Sequence, residues 1–443
     1  MDFEGGTPAA DHLCVLVHGL WGNPSHMHQV AKALRKKHAA DKLHLLLVKR
    51  NQGSFTYDGI ERGGERVVAE IQEELAAIRS RGGNISKISI VGYSLGGLVA
   101  RYAVGLLYAK GIFDEIEPVN FTTFATPHLG VRTPLTGWHS RLWNELGART
   151  LSMSGHQLFL IDEFRDTGRP LLAVLADPQS IFMNGLRKFK RRTLYSNIVN
   201  DRTVASFTSG IMKTDPYTDM KRVKANYVSG YEDVVLDPRN PVTPLALEKE
   251  SRTLKSMTDS TVSYAKNMPV FALLAVLIPI GVAGFLASSV YQTVRSSRRI
   301  RLHELGQAGI KVADYRVPLL IRELRATAEE TYESLNTAAH EQEYLASSDE
   351  SEDESPARGF DKADAEILSL ERKQSHQPLP TLALAPSQFT MINNLDTLNW
   401  NKYPVWIHNV RHSHAAIIVR SEVARFKEGY VVLSHWLDEE FIL

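Results

Sequence analysis

Short apolar runs alternate with amphipathic stretches along the first part of the chain, and this alternation constrains the fold more than any other feature. Short apolar runs bounded by polar or glycine residues are typical of buried strands. The stretch Glu61–Arg81 has apolar residues at spacings of three and four, which is typical of an amphipathic helix. This order of elements predicts an α/β fold with a mostly parallel sheet flanked by helices. The predicted strands are Leu13–Val17, Leu43–Val48, Lys87–Val91, Asn120–Ala125 and Leu194–Val199.

Composition and charge narrow the class of protein. The 443 residues are 43% hydrophobic, which suffices for one large domain with appendages or for two domains. The formal net charge of +1 predicts no nucleic-acid partner. The single cysteine, Cys14, lies in an apolar run, so we expect a buried thiol in a reducing compartment. Because Met1–His12 shows no signal-peptide pattern, we expect the protein to face the cytosol.

The segment Ile90–Gly97 contains the pattern G-x-S-x-G and stands between a predicted strand and a predicted helix. In this context the pattern is typical of a nucleophile elbow, whose strained turn lifts the serine hydroxyl clear of the sheet. Side chains at Gly92 and Gly96 would collide with neighbouring backbone, so glycine is needed at both positions. The N-terminus of the following helix directs partial positive charge at a developing oxyanion. The pattern therefore predicts that Ser94 is the nucleophile of a serine hydrolase.

An oxyanion hole needs two backbone amides, and the residue after the nucleophile, Leu95, supplies one of them. The first predicted strand ends in His18-Gly19, and a turn of this kind after an early strand supplies the other. We expect this second donor to be Leu20, with Trp21 as the alternative. His18 precedes the nucleophile, whereas the base of this fold comes last, so we interpret His18 as a structural loop residue.

The carboxylate of the predicted catalytic triad should follow a late strand, because the chain order in this fold is serine, acid, histidine. Asp201 directly follows such a strand and is the candidate acid. Three other acids compete with it, although none follows as clear a strand. These are Asp177, Asp215 and Asp219.

The base of the triad should lie in a loop after the last strand, which we predict at Tyr403–Val410. His412 and His414 both follow this strand, and their positions do not distinguish between them. His435 is a more distant rival on a predicted terminal helix. His26 and His28 have no acidic or cysteine partner nearby, so we expect no metal.

Three segments, Leu16–Asn23, Gly92–Tyr102 and Ala125–Val131, resemble the serine esterase (lipase-like) family of α/β-hydrolases, most of all its fungal lipid-droplet phospholipases. Asn200–Val204 is similar to the acid-bearing segment of that family, and Ser413–Ile418 is similar to its base-bearing segment. The resemblance implies Asp201 as the acid and favours His414 over His412 as the base. It also implies hydrolysis of acyl esters, foremost of glycerophospholipids, and no cofactor is expected.

The segment 266–300 contains an uncharged run between Lys266 and Arg295 that exceeds the roughly 20 apolar residues needed to cross a bilayer. A single crossing would separate His414 from Ser94, although catalysis requires them to approach to roughly 3 Å. We therefore expect a hairpin or an interfacial helix that anchors the protein to a lipid-droplet or endoplasmic-reticulum surface on its cytosolic face. The alternative is a buried core helix.

Two basic clusters are candidates for binding anionic head groups. Arginines at positions 295, 298, 299 and 301 directly follow the uncharged run. The second cluster, Arg187–Arg192, has the same interpretation or is a solvated helix face, and its position leaves both open.

These features divide the chain into five parts. Residues 1–265 form the first part of the hydrolase core, with a possible cap at 131–190, and residues 266–300 form the apolar segment. A helical connector follows at 301–340. Residues 341–390 form a disordered linker, because Glu341–Glu354 is acidic, rich in serine and poor in large apolar residues. Residues 391–443 return to the core and carry the catalytic histidine.

Several functions fit this pattern. The first is a lipid-surface serine hydrolase that cleaves acyl esters, most readily those of phospholipids. Alternatives with the same triad are a neutral-glyceride or sterol-ester lipase and an acyltransferase. A catalytically silent membrane scaffold is the alternative from another class. The sequence leaves the oligomeric state open.

Overall fold

The computed structural model describes residues 3–131, 152–245, 291–309, 315, 367–371, 381–410 and 412–443. Its strands are β1 (His12–Val17), β2 (Leu43–Leu47), β3 (Lys87–Tyr93), β4 (Glu117–Phe124), β5 (Arg191–Asn197), β6 (Val223–Ala225), β7 (Val242–Pro244) and β8 (Asn401–Val405). The main sheet has the order β2-β1-β3-β4-β5-β8, and each neighbouring pair of its strands is parallel. The carboxyl ends of its strands therefore lie at one edge.

Helices cover both faces of this sheet. The α-helices are α1 (His28–Lys37), α2 (Ile60–Ser80), α3 (Leu95–Ala109), α4 (Ile112–Glu115), α5 (Ser152–Leu158), α6 (Leu171–Leu175), α7 (Ile181–Lys188), α8 (Ser206–Gly210), α9 (Pro386–Asp396), α10 (Ser413–Ala416) and α11 (Glu428–His435). Residues 291–304 are also helical, and we call them the 291–304 helix. A 3-10 turn at Gly53–Tyr57 precedes α2.

Strand β1 shows why the sheet is central, because all its residues are buried. Leu13 and Val15 pack in a core cluster with α2 and α3, whereas Cys14 and Leu16 pack on the other face with α1 and α11. A strand buried on both faces has a continuous apolar sequence, which is the pattern that identified it. Cys14 is buried and unpaired, as expected, and burial raises the pKa of its thiol.

The predicted mostly parallel sheet and its flanking helices are confirmed, but two details of the strands differ from the prediction. The last strand was predicted at Tyr403–Val410, and it ends at Val405. The chain leaves the sheet there because the amide of Trp406 donates to the carbonyl oxygen of Val234 at 2.8 Å. The small antiparallel pair of β6 and β7 was not predicted. These strands have three residues each and are partly exposed, so they carry no clear apolar pattern.

The possible cap at 131–190 is described only in part, since residues 132–151 lie outside the described ranges. Helices α6 and α7 belong to the same core cluster as α3, and Leu172 and Phe182 are fully buried there. A Cβ atom at Gly105 of α3 would collide with the ring of Phe182, so α7 packs directly on α3. The described part of this region therefore adds a layer of helices to the core.

The apolar segment 266–300 and the linker 341–390 are also described in part. Residues 266–290 lie outside the described ranges, and among the residues inside them no helix combines the length and apolar character that crossing a membrane requires. Residues 367–371 are helical, and Leu382, Leu384 and Phe389 are buried in the main core. The predicted disordered linker thus extends too far towards the C-terminus, because apolar residues after Thr381 return to the core.

Candidate active site

Ser94 lies between β3 and α3, in the strained turn that the sequence predicted. Its φ of 54° and ψ of −130° fall outside the regions that L-residues usually adopt. The Ser94 amide donates to the carbonyl oxygen of Phe124 in the neighbouring strand at 2.9 Å, which holds the turn in place. This strand–turn–helix geometry is that of the α/β-hydrolase nucleophile elbow.

The glycines around Ser94 are required by close backbone contacts. A Cβ atom at Gly92 would collide with the backbone of Gly97. One at Gly96 would collide with the carbonyl oxygens of Val17 and His18. The structure therefore confirms that glycine is required on both sides of Ser94, because neighbouring backbone leaves no room for a side chain.

The structure brings Ser94, Asp201 and His414 together from three separate parts of the chain. His414 Nε2 lies 2.9 Å from Ser94 Oγ, and His414 Nδ1 lies 2.8 Å from Asp201 Oδ2. Both distances are within hydrogen-bond range. The imidazole therefore bridges a hydroxyl and a carboxylate, which is the arrangement needed to accept a proton from serine.

Asp201 is held as a carboxylate by several donors. Its Oδ1 accepts hydrogen bonds from the amides of Thr203 and Val204 at 2.9 and 2.8 Å, and its Oδ2 accepts one from Asn197 Nδ2 at 2.9 Å. Burial alone would raise the pKa of this carboxyl, but His414 and these donors outweigh burial and hold the pKa below its ordinary value of 3.8. An ionised carboxylate fixes the orientation of the His414 ring.

Two residues that the sequence analysis did not identify position the base. Ser413 donates from its amide to the carbonyl oxygen of Asn200 at 3.1 Å and from its hydroxyl to that of Val199 at 2.9 Å. These bonds tie the loop carrying the base to the loop carrying the acid. Tyr93 donates from its hydroxyl to the carbonyl oxygen of His414 at 3.0 Å. In the sequence, the position of Tyr93 next to Ser94 was the only indication that it helps to position His414.

The loop after β1 passes directly over the nucleophile. A Cβ atom at Gly19 would lie 2.8 Å from Ser94 Cβ, so the amide of the next residue, Leu20, lies close to the reaction centre. The amide of Trp21 donates to Thr56 Oγ1 at 3.1 Å and is already used within the protein. This favours Leu20 over Trp21 as the second oxyanion donor, beside Leu95 at the start of α3.

The rival histidines lie elsewhere or have other partners. His412 is exposed and precedes α10, whereas His435 is buried and its Nδ1 lies 2.7 Å from the hydroxyl oxygen of Tyr195. His18 is buried, which lowers its pKa, and its Nδ1 lies 3.1 Å from the carbonyl oxygen of Gly19. These surroundings agree with the interpretation of His18 as a structural residue.

The rival acids make local structural contacts. Asp177 forms an ion pair with Arg169 at 2.6 Å, Asp215 accepts from Ser206, and Asp219 accepts from the amide of Lys221. The described ranges also contain no group of three or more potential ligands that could hold a metal ion.

One arginine of the first basic cluster has a structural partner, which corrects its predicted role. Arg299 pairs with the fully buried carboxylate of Asp58 at 2.8 Å, and Arg66 pairs with the same carboxylate at 2.7 Å. Ser296 Oγ donates to Asp58 at 2.6 Å. The 291–304 helix is thereby fixed to the core beside the turn Gly53–Tyr57, and Arg299 belongs to a buried ion-pair network instead of a free surface cluster.

Arginines of the second basic cluster, Arg187–Arg192, also bind within the protein. Arg187 donates to the carbonyl oxygen of Pro178 at 2.9 Å, and Arg192 donates to that of Leu398 at 2.6 Å. These bonds join α7 to the residues that precede it and β5 to the residues that follow α9.

Comparison with known proteins gives a family match and several relatives. Residues 7–214 match the family model described as "Putative serine esterase (DUF676)". "Putative lipase ROG1" of Saccharomyces cerevisiae is 32% identical over 244 residues, which are 52% of this chain and 33% of that protein. "Putative lipase C4A8.10" of Schizosaccharomyces pombe is 33% identical over 211 residues, which are 45% of this chain and 26% of that protein. The matched regions span about a quarter to a third of the length of these relatives.

Solved structures that resemble this chain include a phospholipase PlaB from Legionella pneumophila in complex with thio-NAD. It is 13% identical, with 44% of this chain and 40% of that chain covered and a TM-score of 0.29. An α/β-hydrolase fold protein from Nakamurella multipartita is 14% identical, with 45% and 78% covered and a TM-score of 0.22.

Proposed function

Residues 7–214 belong to the serine esterase family, and from this premise we propose that the chain is a serine hydrolase that cleaves acyl esters of lipids. The observation that carries the proposal is the contact of His414 with both Ser94 and Asp201, at 2.9 and 2.8 Å. A serine hydroxyl is a weak nucleophile at neutral pH and needs such a base.

In the proposed reaction, Ser94 Oγ bonds to the acyl carbon while His414 Nε2 accepts its proton. The ester C–O bond then breaks, and His414 returns the proton to the leaving alcohol. Water next attacks the acyl-enzyme, with His414 again accepting and returning a proton. Asp201 keeps the imidazole oriented and stabilises its charged form.

The oxyanion of both tetrahedral intermediates would accept hydrogen bonds from the amides of Leu20 and Leu95. The support for Leu20 is the close approach of Gly19 to Ser94 and the occupied amide of Trp21. Each donor of this kind typically contributes roughly 2.7–4 kcal/mol to transition-state stabilisation.

A phospholipid is the substrate we favour, at a droplet or membrane surface on the cytosolic side. The resemblance to lipid-droplet phospholipases and the uncharged run after Lys266 support this choice. The names of the fungal relatives support a lipid ester more broadly, so a neutral glyceride or sterol ester is the second candidate.

The test is a lipid-panel hydrolysis assay with the full chain and the variant Ser94→Ala. We expect release of fatty acid from phospholipids by the wild type and none above background by the variant. A fluorophosphonate probe should label the wild type alone, because the probe reacts with an activated serine. Equal labelling of the two proteins would refute the enzyme assignment. Preferential release from glycerides or sterol esters would change only the substrate.

We also propose that the uncharged run holds the protein on lipid. The full chain should sediment with membranes or float with droplets, and detergent should release it. A variant with Leu273, Leu274 and Leu277 replaced by asparagine should shift towards the soluble fraction, because polar groups are costly in hydrocarbon. The anchor would be excluded if all of the unmodified chain were recovered in the soluble fraction without detergent.

A further inference from the structure

A cavity of about 400 Å³ lies between the segment 49–57, helix α2 and the 291–304 helix. Its walls include residues from all three elements: Arg50, Phe55, Arg66, Arg299, Leu302 and His303. Neither Ser94, Asp201 nor His414 lines it, so it is separate from the candidate active site. The volume is in the range of small-molecule sites.

The charge of the cavity wall favours an anion. Its lining contains several basic side chains and neither aspartate nor glutamate. Arg66 and Arg299 share a single carboxylate behind the wall, that of Asp58. The buried carboxylate of Glu65 pairs with His303. Arg50 pairs with Glu73 at 2.8 Å on the exposed rim, where such a pair is weak and can rearrange around a ligand.

His303 lines the cavity and has one ring nitrogen without a partner in the part of the chain that the structure describes. The residue is 1% exposed, and its Nε2 lies 2.5 Å from the carboxylate of Glu65. Its Nδ1 is buried and has no hydrogen-bond partner among the described residues. Buried polar atoms in folded proteins are usually paired. With Nε2 beside a carboxylate, Nδ1 can donate a hydrogen bond to an anion when the ring is protonated.

We infer that this cavity binds a phosphate group that carries an organic substituent. Its cationic groups come from three elements, and a tetrahedral phosphate can accept hydrogen bonds from several directions. Arg66 and Arg299 are held in place by stacking on the Phe55 ring, each 5.1 Å from its centroid. The apolar side chains of Phe55 and Leu302 provide the surface for the substituent.

The phosphate can come from a lipid head group or from a soluble phosphate monoester. The 291–304 helix continues the uncharged run that we propose to bind lipid, so the lipid source rests on that part of the proposed function. The turn Gly53–Tyr57 also contacts the loop of Leu20, since the Gly53 amide donates to Gly22 at 2.7 Å and Thr56 accepts from Trp21. The turn Gly53–Tyr57 would therefore lie between a phosphate bound in the cavity and the loop that carries the proposed oxyanion donor Leu20.

The test measures binding rather than activity, so it is independent of the triad. Calorimetric titration of the full chain with glycerol 3-phosphate should show saturable binding. Arg50→Gln and His303→Gln should each weaken it about tenfold, since each removes one hydrogen bond to a charged group. Lys36→Gln removes the same charge from an exposed site on α1 and should bind as the wild type does.

Vesicle flotation distinguishes the two sources. Adding phosphatidic acid to phosphatidylcholine vesicles should increase binding of the wild type and of Lys36→Gln more than that of Arg50→Gln if the source is a lipid. Binding of glycerol 3-phosphate without this difference would identify a soluble monoester. The proposal fails if the wild type binds neither probe, or if Arg50→Gln and Lys36→Gln are indistinguishable in both assays. Arg50 is partly exposed, so its variant should fold normally, which urea denaturation checks.

Discussion

Replacement of His414 by alanine should lower kcat for ester hydrolysis by about 10⁶-fold, the loss typical when the base of a serine triad is removed. The reason is the position of His414 Nε2, which lies 2.9 Å from the Ser94 hydroxyl and is the nitrogen placed to accept its proton. Labelling by a fluorophosphonate should slow in parallel. Both quantities are measured on purified full-length protein with a soluble short-chain ester, so that lipid binding does not enter.

His412→Ala is the matched control for this prediction. His412 is exposed and two positions away, so its replacement removes an imidazole from the same loop without touching Ser94. We expect it to retain most of the wild-type kcat. If His412→Ala were inactive and His414→Ala active, the base would be misassigned and the loop would rearrange on binding substrate.

Asp201→Asn should lower kcat by about 10⁴-fold while leaving the fold intact. The amide is nearly the same size as the carboxylate, but it cannot stabilise the imidazolium and it favours the wrong tautomer of His414. Steady-state kinetics on the same soluble ester measure the loss. Asp219→Asn changes an exposed carboxylate and should have wild-type kinetics. Full activity in Asp201→Asn would remove this residue from the triad.

The unfolding free energy of Asp201→Asn as a function of pH tests the environment of the Asp201 carboxylate. The folded-state pKa of Asp201 lies below 3.8, so its ionised form stabilises the fold above the unfolded-state pKa. This contribution is lost only as the pH falls through the lower, folded-state pKa. The difference in unfolding free energy between wild type and Asp201→Asn should therefore stay constant above about pH 5 and shrink in stronger acid.

Local sequence was sufficient for the parts of the site that depend on neighbouring residues. The G-x-S-x-G pattern located Ser94 because a strained turn between a strand and a helix requires glycine at fixed offsets. The His18-Gly19 turn located the oxyanion loop for a similar reason. A strand that is buried on both faces has a continuous apolar sequence, so β1 could be predicted from its sequence.

The sequence was least informative where distant residues meet. Position along the chain did not separate His412 from His414, and only the resemblance favoured one. In the structure, Ser413 hydrogen-bonds to the carbonyl oxygens of Val199 and Asn200, more than 200 residues earlier, and this turns His414 towards Asp201. No local pattern encodes such a contact.

The sequence by itself determined the parallel α/β architecture and the candidate nucleophile, because periodicity and turn geometry act over a few residues. Chain position left His412 and His414 open, and the tertiary structure places His414 against Ser94 and Arg299 against Asp58 instead of solvent. Both outcomes depend on which groups share a buried environment. That is set by packing of the whole chain, since a buried charge is stable only beside a partner.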